Sequence, residues 1–225
     1  MLLLLCRLCQ NASSLFRQRK LILLRLLRRL KQIQQYLRQP LKLKGPSDAI
    51  AAGIGMVHQH FMLVPVFTVT ENIMLGAEQV RGGIVGFLDR RRARREVAEV
   101  SARYHLRVDP DAVVEDLPVG IQQRVEIVKA LTRDVDLLIL DEPTRGIDIG
   151  AKTEIQRLVA QLSDGGMAVL FISAELEEVL RLSHKVAVMR DRQMVAQLAN
   201  DDSLDADRVM RAIASGASQE GPVPA

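Results

Sequence analysis

The sequence predicts an α/β fold on a mainly parallel sheet, with a helical subdomain attached and a basic amphipathic helix in front. Three observations carry this reading. Short apolar runs (53–57, 137–140, 168–172) alternate with segments of helical periodicity. The run 137–140 ends directly in Asp141 and Glu142, as a buried parallel strand does when it delivers polar groups to a site at its C-terminal end. The charge is also divided. Residues 1–47 carry eleven Lys/Arg and no acid, which leaves 20 basic against 27 acidic side chains beyond them, a net of −7. The pI of 9.3 thus belongs to the head of the chain, and no general affinity for nucleic acid follows from it.

The 225 residues allow one domain with an appendage, and 48% hydrophobic with 26% charged residues excludes a disordered or collagen-like chain. Cys6 and Cys9 lie too close to the start to staple the body, and no second ligand pair makes a zinc site of them. In the head, residues 1–45, Leu23, Leu26, Leu27, Leu30, Ile33 and Leu37 recur at helical spacing, with Arg25, Arg28, Arg29 and Lys31 on the other face. Two readings stay open: a helix lying on an anionic membrane surface, or an extension with no selected fold, such as a frameshift product. Charge interrupts each apolar run before ~20 residues, so the head is not read as a membrane span.

The body runs over 46–215. A strand is expected at 53–57, with Gln59 just beyond it. Thr68 and Glu71 form a T-x-x-E capping box, which starts a helix near Val69. Gly82, Gly83 and Gly86 mark a loop, and a charged helix covers about 89–104. Its arginines at 90–92, 94 and 95 lie among Asp89, Glu96 and Glu99 without aromatic neighbours, which suits a solvated face better than a nucleic-acid patch. After a loop at 108–115, the segment 117–123 opens a helix reaching about Thr132, so the helical subdomain spans about 68–132. Beyond the strand 137–140, Ile155, Leu158, Val159 and Leu162 give an apolar helix stripe. Gly165-Gly166 turns the chain into the strand 168–172, a helix at 175–182, and strands near 185–189 and 194–198. The tail, 216–225, is small, polar and frayed in expectation.

In order, these landmarks resemble the nucleotide-binding subunit of ABC transporters, of the type that imports sugars and nucleosides. The resemblance covers about 46–215 and implies a partial P-loop NTPase core, with ATP and Mg2+ as cofactors. Asp141 is similar to the family's metal-holding aspartate and Glu142 to its catalytic glutamate; magnesium takes hard oxygen ligands, and a carboxylate beside it can orient or deprotonate a water. Gln59 resembles the glutamine that senses the metal or the lytic water. Leu117, Gly120, Gln122 and Gln123 look like a degenerate signature loop, with Pro118 and Val119 in place of a serine and a glycine. In the family this loop faces nucleotide held by the opposite subunit, where a helix N-terminus favours phosphate. Asp148 matches an aspartate that contacts the dimer partner, and Ala174 stands where the family places a switch histidine. The implied partners are a second ATPase half and transmembrane permease subunits, with no specific nucleic acid. The implied location is the cytoplasmic face of the inner membrane, held peripherally, with residues 1–45 as a further contact to the membrane surface.

The sequence departs from the family at two places that matter. It has no Gly-Lys dipeptide, so the G-x-x-x-x-G-K-[ST] phosphate cradle is missing; Gly150-Ala151-Lys152-Thr153 is a near miss that follows Asp141. Alanine at 174 cannot hydrogen-bond a γ-phosphate through its side chain. Residues 55–76 and 117–131 look like the first half of tandem importers, and 144–150 with 171–180 like the second, so a join across Asp141-Glu142-Pro143-Thr144 is the expectation. Two functions follow: an importer ATPase subunit impaired in its own ATP site, or a non-catalytic or defective fragment with a membrane-binding head.

Overall fold

The computed structural model describes residues 2–4, 43–75, 80–81, 87–133, 135–201 and 203–215. The amphipathic stripe of the head, the glycine loop and the expected frayed tail lie outside them.

Strand β1 (Leu2–Leu4) is followed by helix α1 (Pro46–Ala51) and β2 (Ile54–Val57). Proline at the first position of α1 costs no hydrogen bond, because that N–H has no partner inside the helix. Helix α2 (Val69–Met74) starts in the expected capping box: Thr68 Oγ1 accepts the Glu71 amide at 3.3 Å, and Glu71 Oε2 accepts the Thr68 amide at 2.9 Å. A short hairpin, β3 (Val80–Arg81) with β4 (Phe87–Leu88), leads to α3 (Arg90–Arg103), capped by Asp89. Ala93, Val97 and Val100 form its buried stripe. The outer face carries ion pairs from Arg90 to Glu71, Arg92 to Glu96 and Arg94 to Asp111.

A 3-10 turn at Val114–Asp116 opens into α4 (Val119–Leu131). Then come β5 (Leu137–Asp141), α5 (Ile149–Asp164), β6 (Ala168–Ser173), α6 (Leu176–Leu182), β7 (Lys185–Arg190), β8 (Gln193–Ala199) and α7 (Ala206–Ser215). Helices α2, α3 and α4 pack on one another, and α4 also packs on β2. Helices α5 and α6 pack on β6, and α7 on β7 and β8.

The main sheet has the order β2-β5-β6-β1-β7-β8. Its first three strands run parallel, and β7 runs the same way. Between β6 and β7, β1 runs opposite to both, and β8 closes the far edge antiparallel to β7. Val57, Leu138, Leu140, Ile155, Leu162 and Phe171 make the centre of the core, each at most 1% exposed. Burial of each such side chain contributes about 1.5–3 kcal/mol. The strands and helices expected beyond Pro46 are present, and α1, α7, the β3–β4 hairpin and β1 join them. Among the described residues no helix is long and apolar enough to cross a membrane.

Candidate functional site

The sheet register sets the site. Val57 of β2 pairs with Leu140 of β5, and Asp141 pairs with Ile172 of β6. The C-terminal ends of three neighbouring parallel strands therefore meet. Gln59 lies two residues past β2, Asp141 and Glu142 end β5, and Ala174 follows β6. Such an end collects backbone and side-chain polar groups that the strand interior cannot hold.

Glu142 has φ of 48°, a left-handed conformation that costs a glutamate about 1–3 kcal/mol. Two bonds to the end of β6 keep it there. Its amide donates to the Ile172 carbonyl at 2.9 Å, and its Oε1 accepts the Ala174 amide at 2.8 Å. Ala174 thus acts through its backbone. The carboxylate of Asp141, half-buried at the strand end, has no hydrogen-bond partner among the described residues. A hard cation takes such a group together with waters and substrate oxygens, so Asp141 fits magnesium. Among the described residues no group of three His, Cys, Asp or Glu side chains forms a protein-only metal cage.

The loop after β2 is held by α4. Glu126, only 7% exposed, accepts the Met62 amide at 2.6 Å, and Lys129 Nζ donates to the Met62 carbonyl at 3.3 Å. Burial pushes the Glu126 carboxyl above its ordinary range, against the opposing charges of Lys129 and His58. Asn72, fully buried, reaches the same loop, with Oδ1 accepting the Val64 amide at 2.6 Å. Half-buried Gln59 thus sits on a loop whose next turn is fixed to the helical region.

The segment 117–123 starts α4. Gly120 is packed so tightly on α5 that a Cβ would stand 2.6 Å from the Ala151 Cβ. Asp148 caps α5, its Oδ1 accepting the Ala151 amide at 2.9 Å. Two helix N-termini are therefore side by side, with Val119 47% and Ile149 84% exposed on them. Leu117 packs against the core, and its carbonyl accepts from Gln122 Nε2 at 2.8 Å. Gln123 is 3% exposed, and its Nε2 has no hydrogen-bond partner among the described residues.

Sequence reasoning missed a buried cluster beneath this end of the sheet. Glu178 of α6, 2% exposed, accepts from Thr144 Oγ1 at 2.7 Å, Ser173 Oγ at 3.0 Å, Gln156 Nε2 at 3.0 Å and Lys152 Nζ at 2.9 Å. Burial alone would raise its pKa, but these donors outweigh burial and hold the carboxyl below its ordinary value. Lys152 also pairs with Glu175, whose hydrogen bond leads the causes that raise the lysine pKa. The near miss at 150–153 is therefore the first turn of α5, with its lysine engaged by two carboxylates. The available signal was an acid in the buried stripe of α6, beside Val179.

Comparisons with known proteins bear on the same stretch. The sequence pattern of the family described as ABC transporter matches residues 20–145, more than half of the chain, beginning inside the basic head. A nucleoside import ATP-binding protein of Lactococcus lactis subsp. cremoris is 46% identical over 145 residues, 64% of this chain and 28% of that protein. A glucose import ATP-binding protein of Haloferax volcanii is 41% identical over 192 residues, 74% of this chain and 35% of that one. The chain spans about a third of the length of the curated relatives it matches. A dimeric bacterial ABC transporter cassette superposes with a TM-score of 0.57 at 22% identity, over 71% of this chain and 68% of the other. The protein cbiO1 of Clostridium perfringens, part of the ABC transporter complex cbiONQ, reaches 0.60 at 22% identity, over 78% and 68%. The last two likenesses concern the fold.

Proposed function

Because the chain belongs to the ABC transporter family, we propose that it is an ATP-binding subunit of an importer for a sugar or a nucleoside, impaired in its own ATP site. The observation that carries this reading is the meeting of Gln59, Asp141 and Glu142 at one end of three parallel strands, with Glu142 fixed by the Ala174 amide. In this reading Asp141 holds Mg2+, the ion that would neutralise charge on a bound nucleotide. Glu142 keeps Oε1 on the Ala174 amide and uses Oε2 to orient a water. Gln59 follows the state of the site, and the Glu126 and Lys129 grip on Met62 carries its position to the helical region.

The β- and γ-phosphates are another matter. The described residues offer no glycine-rich cradle, and Lys152 is occupied by Glu175 and Glu178. These residues do not fit the phosphate chain of ATP, so no hydrolytic step is assigned to this chain alone. Exposed Val119 and Ile149, on adjacent helix N-termini, support a second ATPase half seated there, with Asp148 at the contact. The import relatives support a sugar or nucleoside as cargo and membrane permease subunits as partners, with this chain peripheral on the cytoplasmic side.

Calorimetric titration of the purified full chain with ATP, with and without Mg2+, tests the reading. The expected result is binding of about millimolar strength, dependent on Mg2+ and lost in Asp141→Asn. Micromolar affinity would overturn the impairment. Affinity indifferent to Mg2+ or to Asp141→Asn would overturn the metal role.

A further inference from the structure

Away from the strand ends, a hollow of about 170 Å³ lies between the turn at 104–107, α4 and the flank of α5. We propose that this hollow is a binding site for a phosphate-type oxyanion. Its lining includes three guanidinium groups, Arg107, Arg124 and Arg157, and His105, against one carboxylate, Glu154. Arg124 is the centre. Its side chain is 12% exposed, its Nη1 donates to the Leu106 carbonyl at 3.2 Å, and its Nη2 pairs with Glu154. Its Nε is buried and has no hydrogen-bond partner among the described residues.

Arg107 and Arg157 are exposed and form no ion pair among the described residues. His105 and Arg107 both have left-handed backbones, with φ of 54° and 53°, which bend the turn so that both residues line the hollow. Burial lowers the Arg124 pKa below its usual value, and the charge of Arg107 lowers it further, with Asp148 opposing. Even with Glu154 counted, the lining keeps an excess of positive charge. A dianion with several acceptor oxygens offsets that excess, and guanidinium forks match such oxyanions. The volume is several times the ~10–15 Å³ that one enclosed water requires, so the hollow has room for such an ion. None of these groups belongs to the strand-end site, so the inference stands apart from the importer reading.

Nitrogen-15 NMR of arginine side chains in the full chain, titrated with inorganic phosphate and separately with AMP, tests it. Potassium chloride at equal ionic strength is the blank. The expected result is a saturable shift of the Arg124 Nε–H signal with a Kd of about 1 mM, weakened at least ~10-fold in the Arg107→Gln/Arg157→Gln double variant. Arg157→Gln alone, on the exposed face of α5, weakens it in the same direction, and Arg94→Gln leaves it unchanged. Tighter binding of AMP identifies a phosphate monoester as the source, and tighter binding of phosphate identifies the free ion. An Arg124 signal that does not saturate, follows chloride equally, or keeps its Kd in the arginine variants overturns the proposal.

Discussion

Gly120 shows how one residue type can carry two meanings. In the sequence it reads as the surviving glycine of a phosphate-facing loop; in the structure its missing side chain lets α4 and α5 touch. Gly120→Ala places a methyl 2.6 Å from the Ala151 Cβ, so the helices must separate. The expected cost is about 1–3 kcal/mol, read as a lower urea midpoint; an unchanged midpoint would show that the helices give way freely. Glu142 is the second case. Its left-handed backbone is retained because both its amide and its carboxylate bond to the end of β6. Glu142→Gln keeps an oxygen for the Ala174 amide, so stability should change by no more than about 1 kcal/mol in the same urea assay. Asp141 and Glu142 were legible because a strand ending in two acids is a local pattern. The hold of Ala174 on Glu142 was not, because residue 174 reaches Glu142 only once β6 has paired with β5.

At the scale of elements, capping was legible and long-range anchoring was not. Thr68 and Glu71 announce the start of α2 three residues apart, and both of their bonds form. Pro46 at the start of α1 and Asp205, which accepts the Arg208 amide before α7, are equally local signals, each on a helix of ten residues or fewer. Nothing near Glu178 in sequence announces Lys152 or Thr144, which come from α5 and the segment before it. Glu178 ties that segment, α5, β6 and α6 together. Its pKa is lowered by folding, so its charge stabilises the fold above the ordinary glutamate value of 4.5 and stops doing so as pH falls through the lowered value. Glu178→Gln should therefore cost about 3 kcal/mol at pH 7, with the gap to wild type closing in acid urea titrations. Glu126 has the opposite sign. Burial raises its pKa, so its charged form costs stability as pH rises above 4.5. Glu126→Gln keeps an acceptor for Met62 and should gain stability at pH 7 relative to pH 4, which the same titration checks. A constant difference across pH would place the raised pKa in the unfolded chain as well.

For the whole molecule, the division of charge and the alternation of strands with helices foretold an α/β body, but not the order of its strands. Alternation says which elements exist; sheet order depends on which apolar edges meet. The strand β1 illustrates this, since a short unbroken run of leucines gives no period to read. Pairing with both β6 and β7, it joins the parallel strands to the β7–β8 hairpin. Removal of residues 1–5 should speed amide exchange at 186–188 at least ~10-fold while 137–141 stays protected, as measured by exchange and mass spectrometry. Equal protection at 186–188 would mean that the helices hold the hairpin without it.

The place of β1 also bears on how the chain acquires its shape. Leu3 pairs with Ile172, so the sheet cannot close until about 170 residues have been gathered into one loop. Local helices and the β7–β8 hairpin form without waiting for that event, and contacts so distant in sequence are the slow ones. Until they form, the inner edges of β6 and β7 stand open. During that interval the nascent chain is most exposed to the wrong partner strand, so crowding at this stage should lower the yield of native protein more than it changes the finished fold.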